Sequence, residues 1–350
     1  MSPALITGGS GFIGVNLAHR LLSSGETVYI FDNLSRSNVT RNLQWLVGCH
    51  GSKAIVHIED TRDSEALRRV VRRVDQVFHF AAQVAVTSSV ENPRNDFETN
   101  VLGTFNLLEE IRSAKRPPGI IFTSTNKVYG ALNHLPLKVE GKRYLRADGH
   151  DGGIDETDRL DFHSPYGCSK GAAEQYVLDY SRTYGIASVV FRMSCIYGPH
   201  QFGSEDQGWV AHIIGQVLQN KPVTIFGNGY QVRDLLFVDD LVNAFLLARK
   251  NIEELSGQAF NIGGGSANTI SLLELMDILQ DLGETPRYAF SDGRIGDQKY
   301  YVSDYSRFKS RTGWIPRVGL HSGIGALTSW LRQALREQQN PNNPMLSHAS

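Results

Sequence analysis

A chain of 350 residues, 41% hydrophobic and 20% charged, is long enough for about two domains and apolar enough to bury a sizeable core. Its 35 Lys and Arg against 36 Asp and Glu leave a formal charge of −1, without the basic excess that a nucleic-acid partner would select. Three separated cysteines (Cys49, Cys168, Cys195), no leader-like N-terminus and no run of about 20 apolar residues argue against a disulfide framework, a metal site and a membrane span, and for a reducing cytoplasm.

In chain order, apolar runs predict strands over 4–6, 28–31, 54–58, 76–80 and 120–123, with helix-like stretches over 12–22, 64–72 and 97–111 between them. Continuous apolar strands alternating with amphipathic helices predict an α/β fold, a Rossmann-type doubly wound parallel sheet covered on both faces. Ser164 as a cap and Pro165 at the first helical position start a helix running to about 184, and a strand over 188–192 follows. From Tyr197 to Trp209, glycine, proline and aromatic residues break the alternation. One more strand–helix unit, 235–238 then 239–248, is expected to return to the main sheet. The chain thus divides into a dinucleotide-binding unit (1–193 and 233–262), a smaller, discontinuous C-terminal substrate unit (194–232 and 263–335) and a flexible tail (336–350).

Gly8, Gly11 and Gly14 lie between the first strand and the first helix. Gly8 allows the tight turn, Gly11 lets backbone approach a pyrophosphate, and Gly14 lets helix and sheet pack closely. The phosphates then meet free N–H groups around Phe12 and Ile13. Asp32, which ends the second strand and precedes Asn33, is placed to accept bonds from an adenosine ribose; its charge would repel a 2′-phosphate, so NAD is expected over NADP. Arg36 is expected over the adenine or in solvent, and Asp60 and Thr61 approach the adenine. Ala81, Ala82 and Gln83 follow the fourth strand, at the edge where ligands bind such a sheet. Met193 and Ser194 are expected to border the nicotinamide.

Tyr166 and Lys170 are four apart, so a helix puts them on one face. A lysine beside a phenol stabilises the phenolate and is expected to lower its pKa from about 10. Such a tyrosine can take the proton of a sugar hydroxyl while the adjacent carbon gives hydride to NAD, with Thr125 orienting both groups. The glycine motif, Asp32, Asn100, Thr125, Tyr166 and Lys170, in that order, resemble the extended short-chain dehydrogenase/reductase superfamily of nucleotide-sugar enzymes over residues 3–335. The resemblance implies that Asn100 supports the central helix, that Ser124 and Thr125 supply a third catalytic hydroxyl, and that Arg233 and Arg294, near Asp297, clamp a nucleotide diphosphate.

Fold alone does not choose among the superfamily's reactions. Its 4,6-dehydratases place Asp and Glu after the threonine, where this chain has Asn126 and Lys127. An amide and an ammonium do not supply the paired acid and base that eliminating water needs. Residues 124–130, 160–173, 206–210 and 227–234 resemble the CDP-paratose 2-epimerases, also called CDP-tyvelose 2-epimerases. So does the long insertion between Gly130 and Tyr166, expected to wall the sugar pocket. That family inverts C2 of a CDP-linked 3,6-dideoxyhexose through a 2-keto sugar, in lipopolysaccharide O-antigen synthesis. It implies substrate contacts at Gln83, Thr125, Asn126, Lys127, His163, Cys195 and Gln207, although from the residues alone His163 and Cys195 read rather as structural residues. Helices near 97–113 and 165–184 imply a homodimer or homotetramer. Cys168 faces away from the Tyr166/Lys170 stripe and is expected in packing. Two other readings stay open: a UDP-sugar 4-epimerase using the same Tyr166 and Lys170, and a non-catalytic NAD sensor.

Overall fold

Seven short strands form one parallel sheet: Ala4–Thr7 (β1), Val28–Phe31 (β2), Ala54–His57 (β3), Gln76–His79 (β4), Gly119–Thr125 (β5), Ser188–Met193 (β6) and Gln258–Ile262 (β7). Their order is β7-β6-β5-β4-β1-β2-β3 in a computed structural model that describes residues 3–149, 152–293 and 298–339. Side chains alternate between the faces of each strand. Ala4 and Ile6 of β1 therefore pack with the helices Phe12–Ser23, Val39–His50 and Val238–Lys250. Leu5 packs with Ser64–Val71, Gly103–Ser113 and Ser164–Tyr184 on the opposite face. The strand order reverses beside β1, so the loops after β1 and β4 diverge and open a crevice at their C-terminal ends.

The helix expected over 97–111 is built in three pieces. A turn Pro93–Phe97 leads into a π-helical turn, Glu98–Leu102, and only then into the α-helix Gly103–Ser113. Such π turns often accompany functional sites. This one carries Asn100. Ser164 does cap its helix, since its Oγ accepts the Gly167 N–H at 3.3 Å, but it does so with φ +63 and counts as the helix's first residue.

The strand expected to return to the main sheet at 235–238 does not do so. Val232–Phe237 pairs instead with Cys195–Tyr197, Thr269–Ser271 and Tyr300–Tyr301 in a second, four-stranded sheet. Alternation explains the placement: Leu235 and Phe237 enter a separate core with Ile214, Leu275 and Leu327, while Leu236 faces the main-sheet core. The next helix, Val238–Lys250, does lie on the main sheet, and β7 is that sheet's seventh strand. Helices Trp209–Leu218, Leu272–Asp281 and Leu320–Gln339 complete the smaller part. The last of these takes in 336–339, the start of the expected tail; residues 340–350 lie outside the described residues.

Among the described residues, the insertion after Gly130 lines neither of the two cavities described below and instead bonds to the smaller part. Its hairpin, Leu137–Glu140 with Arg143–Arg146, brings basic residues against the acidic helix Leu272–Asp281. Lys142 Nζ lies 2.6 Å from Asp277, Arg143 donates to both Glu274 oxygens at 2.6 Å, and Asn228 Nδ2 donates to the Tyr144 hydroxyl at 2.8 Å. Among the described residues no helix is long and apolar enough to cross a membrane.

Candidate active site

Gly8 takes φ +68, and a Cβ there would stand 2.7 Å from the Ala81 nitrogen. A Cβ on Gly14 would stand 2.3 Å from the Gly8 carbonyl oxygen. Both positions exclude any side chain, so the turn between β1 and its helix stays open down to backbone. No side chain caps the helix Phe12–Ser23, whose first-turn N–H groups are left for an anion. At the end of β2, Asp32 accepts the Ser10 N–H on Oδ2 at 3.0 Å and the Leu34 N–H on Oδ1 at 2.9 Å. These bonds orient the carboxylate in the cleft, although burial raises its pKa.

That cleft has two adjoining lobes. One, of about 530 Å³, is lined by Gly8, Gly11, Asp32, Asn33, Arg36, Asp60, Thr61, Ala81, Ala82 and Gln83. Asp60 is pinned by Arg62 and by Asn33 Nδ2 at 2.8 Å, and the Arg62 bond holds its carboxyl down at about 2. The other lobe is lined by Phe12, Ile13, Gly14, Ser124, Tyr166, Lys170 and Met193, and shares Gly8, Gly11, Arg36 and Ala82 with the first. A long cleft with bare backbone at its middle and a fixed carboxylate at one end fits a dinucleotide without a 2′-phosphate.

Thr125 ends β5 beside Met193 of β6, and its Oγ1 accepts the Lys127 N–H at 3.2 Å. The Tyr166 phenol faces Thr125, which works to lower its pKa, but burial wins and pushes it up to about 12. The lowering expected from Lys170 is not the dominant effect in this structure. Lys170 Nζ lies over the Phe122 ring, 4.2 Å from its centroid, and burial pushes its own pKa down to about 7. In this matrix, both groups favour their neutral forms.

Asn100 lines neither lobe; it braces both sides. Its Oδ1 accepts the Gln83 N–H at 2.8 Å, and its Nδ2 donates to the Gln83 carbonyl at 3.0 Å and to Ser169 Oγ at 2.9 Å. Ser169, one residue before Lys170, in turn donates to Asp96. Behind this lies His79, bonded through Nδ1 to Thr7 Oγ1 (2.6 Å) and through Nε2 to Thr104 Oγ1 (2.9 Å). Ser124 Oγ donates to Glu174 Oε2 at 2.6 Å, and Glu174 Oε1 holds Arg192. Arg192 Nη1 donates to the Tyr129 hydroxyl at 2.9 Å, which donates to Asn261 at 2.8 Å. Sequence reasoning missed His79, Glu174 and Arg192. Polar residues inside otherwise apolar strands and on a helix's inner face were the signal for them.

A further cavity, of about 270 Å³, is lined by Asn126, Lys127, Cys195, Gln207 and Arg233, with Trp209 and Phe226 among its apolar walls. Gln207 also lines both lobes of the cleft. Because Ser124 lines the cleft and Asn126 the further cavity, Thr125 sits at their seam. Cys195 is a wall residue there, with its Sγ accepting the Trp209 Nε1–H at 3.5 Å.

Two further expected residues lie away from these cavities. His163 is half-exposed and pairs with Asp161 at 3.3 Å, because it precedes the helix rather than sharing the inner face of Tyr166. Ser194 donates to Asp234 and lines neither cavity. Arg294 and Asp297 lie outside the described residues. Cys168, expected in packing, is exposed, since its helix presents that side to solvent.

Residues 4–263 match the NAD dependent epimerase/dehydratase family. The chain is 44% identical over 334 residues to the CDP-paratose 2-epimerase of Salmonella typhi, covering 93% of this chain and 98% of that protein. The crystal structure of a UDP-glucose 4-epimerase from Thermotoga maritima with UDP-glucose superposes with a TM-score of 0.80 at 31% identity, covering 95% of this chain and 99% of that one. A UDP-glucuronic acid 4-epimerase from Bacillus cereus, solved with UDP-glucuronic acid and NAD, gives 0.81 at 28% identity over 95% and 99%.

Proposed function

The chain belongs to the NAD dependent epimerase/dehydratase family, and from that premise we propose that it inverts C2 of a CDP-linked 3,6-dideoxyhexose, converting CDP-paratose to CDP-tyvelose. The observation that carries this reading is the 44% identity to a CDP-paratose 2-epimerase across 98% of that protein. The site adds that Asn126 and Lys127, not a pair of carboxyl groups, follow Thr125 into the further cavity, which speaks against dehydration.

Gly8, Gly11, Phe12, Ile13, Gly14 and Asp32 would hold NAD at its phosphates and adenosine ribose, with Asn33, Arg36, Asp60, Thr61, Ala81, Ala82, Gln83, Ser124 and Met193 around it. Bound NAD supplies a hydride acceptor and donor and a positive ring. Tyr166 takes the proton of the sugar hydroxyl and returns it, Thr125 holds that hydroxyl in line, Lys170 anchors the nicotinamide ribose, and the positive ring would favour the phenolate that burial alone disfavours. Lys127 and Arg233, which both line the further cavity, would meet the diphosphate. Asn126, Cys195 and Gln207 touch the sugar side, which is free to turn between the two half-reactions. The larger sheet is the cofactor unit and the four-stranded sheet the substrate unit. The same reading has the protein work in the cytoplasm, in O-antigen synthesis. It also has the protein work as a homo-oligomer. Supporting that, Phe97, Leu102, Phe105 and Tyr176 are exposed on neighbouring helical segments, with the Phe105 and Tyr176 rings 5.7 Å apart.

The test is CDP-paratose deuterated at C2, turned over in ordinary water and followed by NMR. The expected product is CDP-tyvelose with its label kept, because the hydrogen leaves and returns without meeting solvent. Loss of label to solvent refutes the oxidation route. Inversion at C4 of a UDP-sugar, with none at C2, moves the chain to the 4-epimerases.

A further inference from the structure

The segment Pro199–Phe202 leaves the smaller part and crosses over the glycine turn of the larger one. His200, Gln201 and Phe202 line the cleft lobe that also holds Gly11, Tyr166 and Lys170. Two asparagines nail the segment down. Asn16 Nδ2 donates to the Pro199 carbonyl at 3.0 Å, and Asn42 Nδ2 bridges the Ser10 and His200 carbonyls at 3.2 Å each. The second contact ties the crossing segment to the phosphate turn itself.

The His200 ring meets two tryptophans, both tilted against it: Trp45 at 4.0 Å between centroids and Trp330, from the C-terminal helix Leu320–Gln339, at 5.1 Å. Trp330 also meets Phe202 at 5.2 Å, and Arg41 lies over the outer Phe202 ring at 4.7 Å. His200 has φ +67, a left-handed conformation that a side chain other than glycine keeps only when its surroundings impose it. Gln201 is more than nine-tenths buried. Its Nε2 donates to the Ile196 carbonyl at 3.1 Å, which ties the crossing segment back to the strand Cys195–Tyr197.

We propose that Pro199–Phe202 is a latch over the bound dinucleotide and that Trp330 is its outer clasp, so that docking of the C-terminal helix sets how long NAD stays. A cofactor that ends each turnover unchanged needs no exchange between turnovers, and a latch that must shed two ring contacts before lifting suits that use. The inference rests on the reading of this cleft as the NAD site.

Release of bound NAD into an NAD-free buffer, measured for the full-length protein, tests it. Trp330→Ala is expected to release NAD roughly tenfold faster or more than the wild type, with the change in the dissociation rate. Trp330→Phe, which keeps a ring on His200, is expected to stay within about threefold of wild type. Asn42→Ala, at the other end of the latch, is expected to speed release as Trp330→Ala does. If the wild-type protein holds NAD and folded Trp330→Ala and Asn42→Ala release it at the wild-type rate, the latch is overturned and the NAD site stands. If the wild type neither carries nor takes up NAD, the reading of the cleft falls and the latch with it.

Discussion

Replacing Glu174 by Gln keeps the shape of a fully buried side chain and removes its charge. In the structure that carboxylate accepts Arg192 Nε at 3.0 Å, a second bond from Arg192 Nη2, and the Ser124 hydroxyl at 2.6 Å. The side chains of Arg192 and Glu174 are 6% and 0% exposed, so water cannot take over the role of the lost partner. A guanidinium does not give up its proton, and among the described residues the Tyr129 hydroxyl is its one other hydrogen-bond partner. Removing one member of such a pair costs about 3–5 kcal/mol, most of it the uncompensated charge left behind. Against a native stability of about 5–15 kcal/mol, that is a large fraction. Urea unfolding followed by circular dichroism and tryptophan fluorescence should show the midpoint of Glu174→Gln shifted down accordingly. The double variant Glu174→Leu with Arg192→Met, which removes both charges at similar volume, should recover most of the loss. A single variant that unfolds at the wild-type urea concentration, or a double variant that falls as far as the single one, would refute this account of the pair.

Tyr166→Phe should abolish turnover while leaving the NAD content of the purified protein unchanged, since it deletes one oxygen; Lys170→Met should lose turnover and part of the bound NAD together, as read by NAD released on denaturation. Acid should weaken the fold through His79, whose pKa is driven down by burial and by the nearby Lys170 to about 3, below its value of 6.5 in the unfolded chain. The unfolded state therefore binds the proton first, and stability present above about pH 6.5 is lost as pH falls toward 3, amounting to about 2 kcal/mol by pH 5. Unfolding free energies from urea titrations should fall between pH 7 and 5 by at least that amount in the wild type, since His200, depressed to about 4 by burial, adds its own share, and by about 2 kcal/mol less in His79→Gln; equal pH sensitivity in the two would contradict a buried neutral imidazole.

The main sheet is legible in the sequence because six of its seven strands are short apolar runs bounded by turn or helix signals, and a strand buried on both faces leaves little else to choose. The glycine turn, Asp32, Thr125, Tyr166 and Lys170 are legible for a related reason. Each sits at the end of a strand or in the first two turns of a helix, where local spacing already fixes its neighbours. Long-range partners are not legible in this way. Leu235–Phe237 has the apolar texture of a main-sheet strand, and only the cores waiting on its two sides decide which sheet it joins. His163 is three residues before Tyr166, which a continuous helix would place nearby, but the helix begins after it. Glu174 and Arg192 look like surface charges until β6 and the helix Ser164–Tyr184 come together.

The interleaving of the two parts also bears on how the chain can be made. One face of the main sheet is closed by Leu241, Val242 and Phe245 of the helix Val238–Lys250, together with Phe260 of β7. A ribosome that has released only the first 200 residues has delivered six strands but not the cover for Phe78, Ile121 and Phe191 on that face. Nascent protein must carry this sticky surface through roughly 60 further codons, while strands destined for the other sheet emerge in between, a delay on the order of 3–12 s at typical synthesis rates. Chaperone demand during translation, rather than the stability of the finished molecule, is where this arrangement of the chain will first be felt.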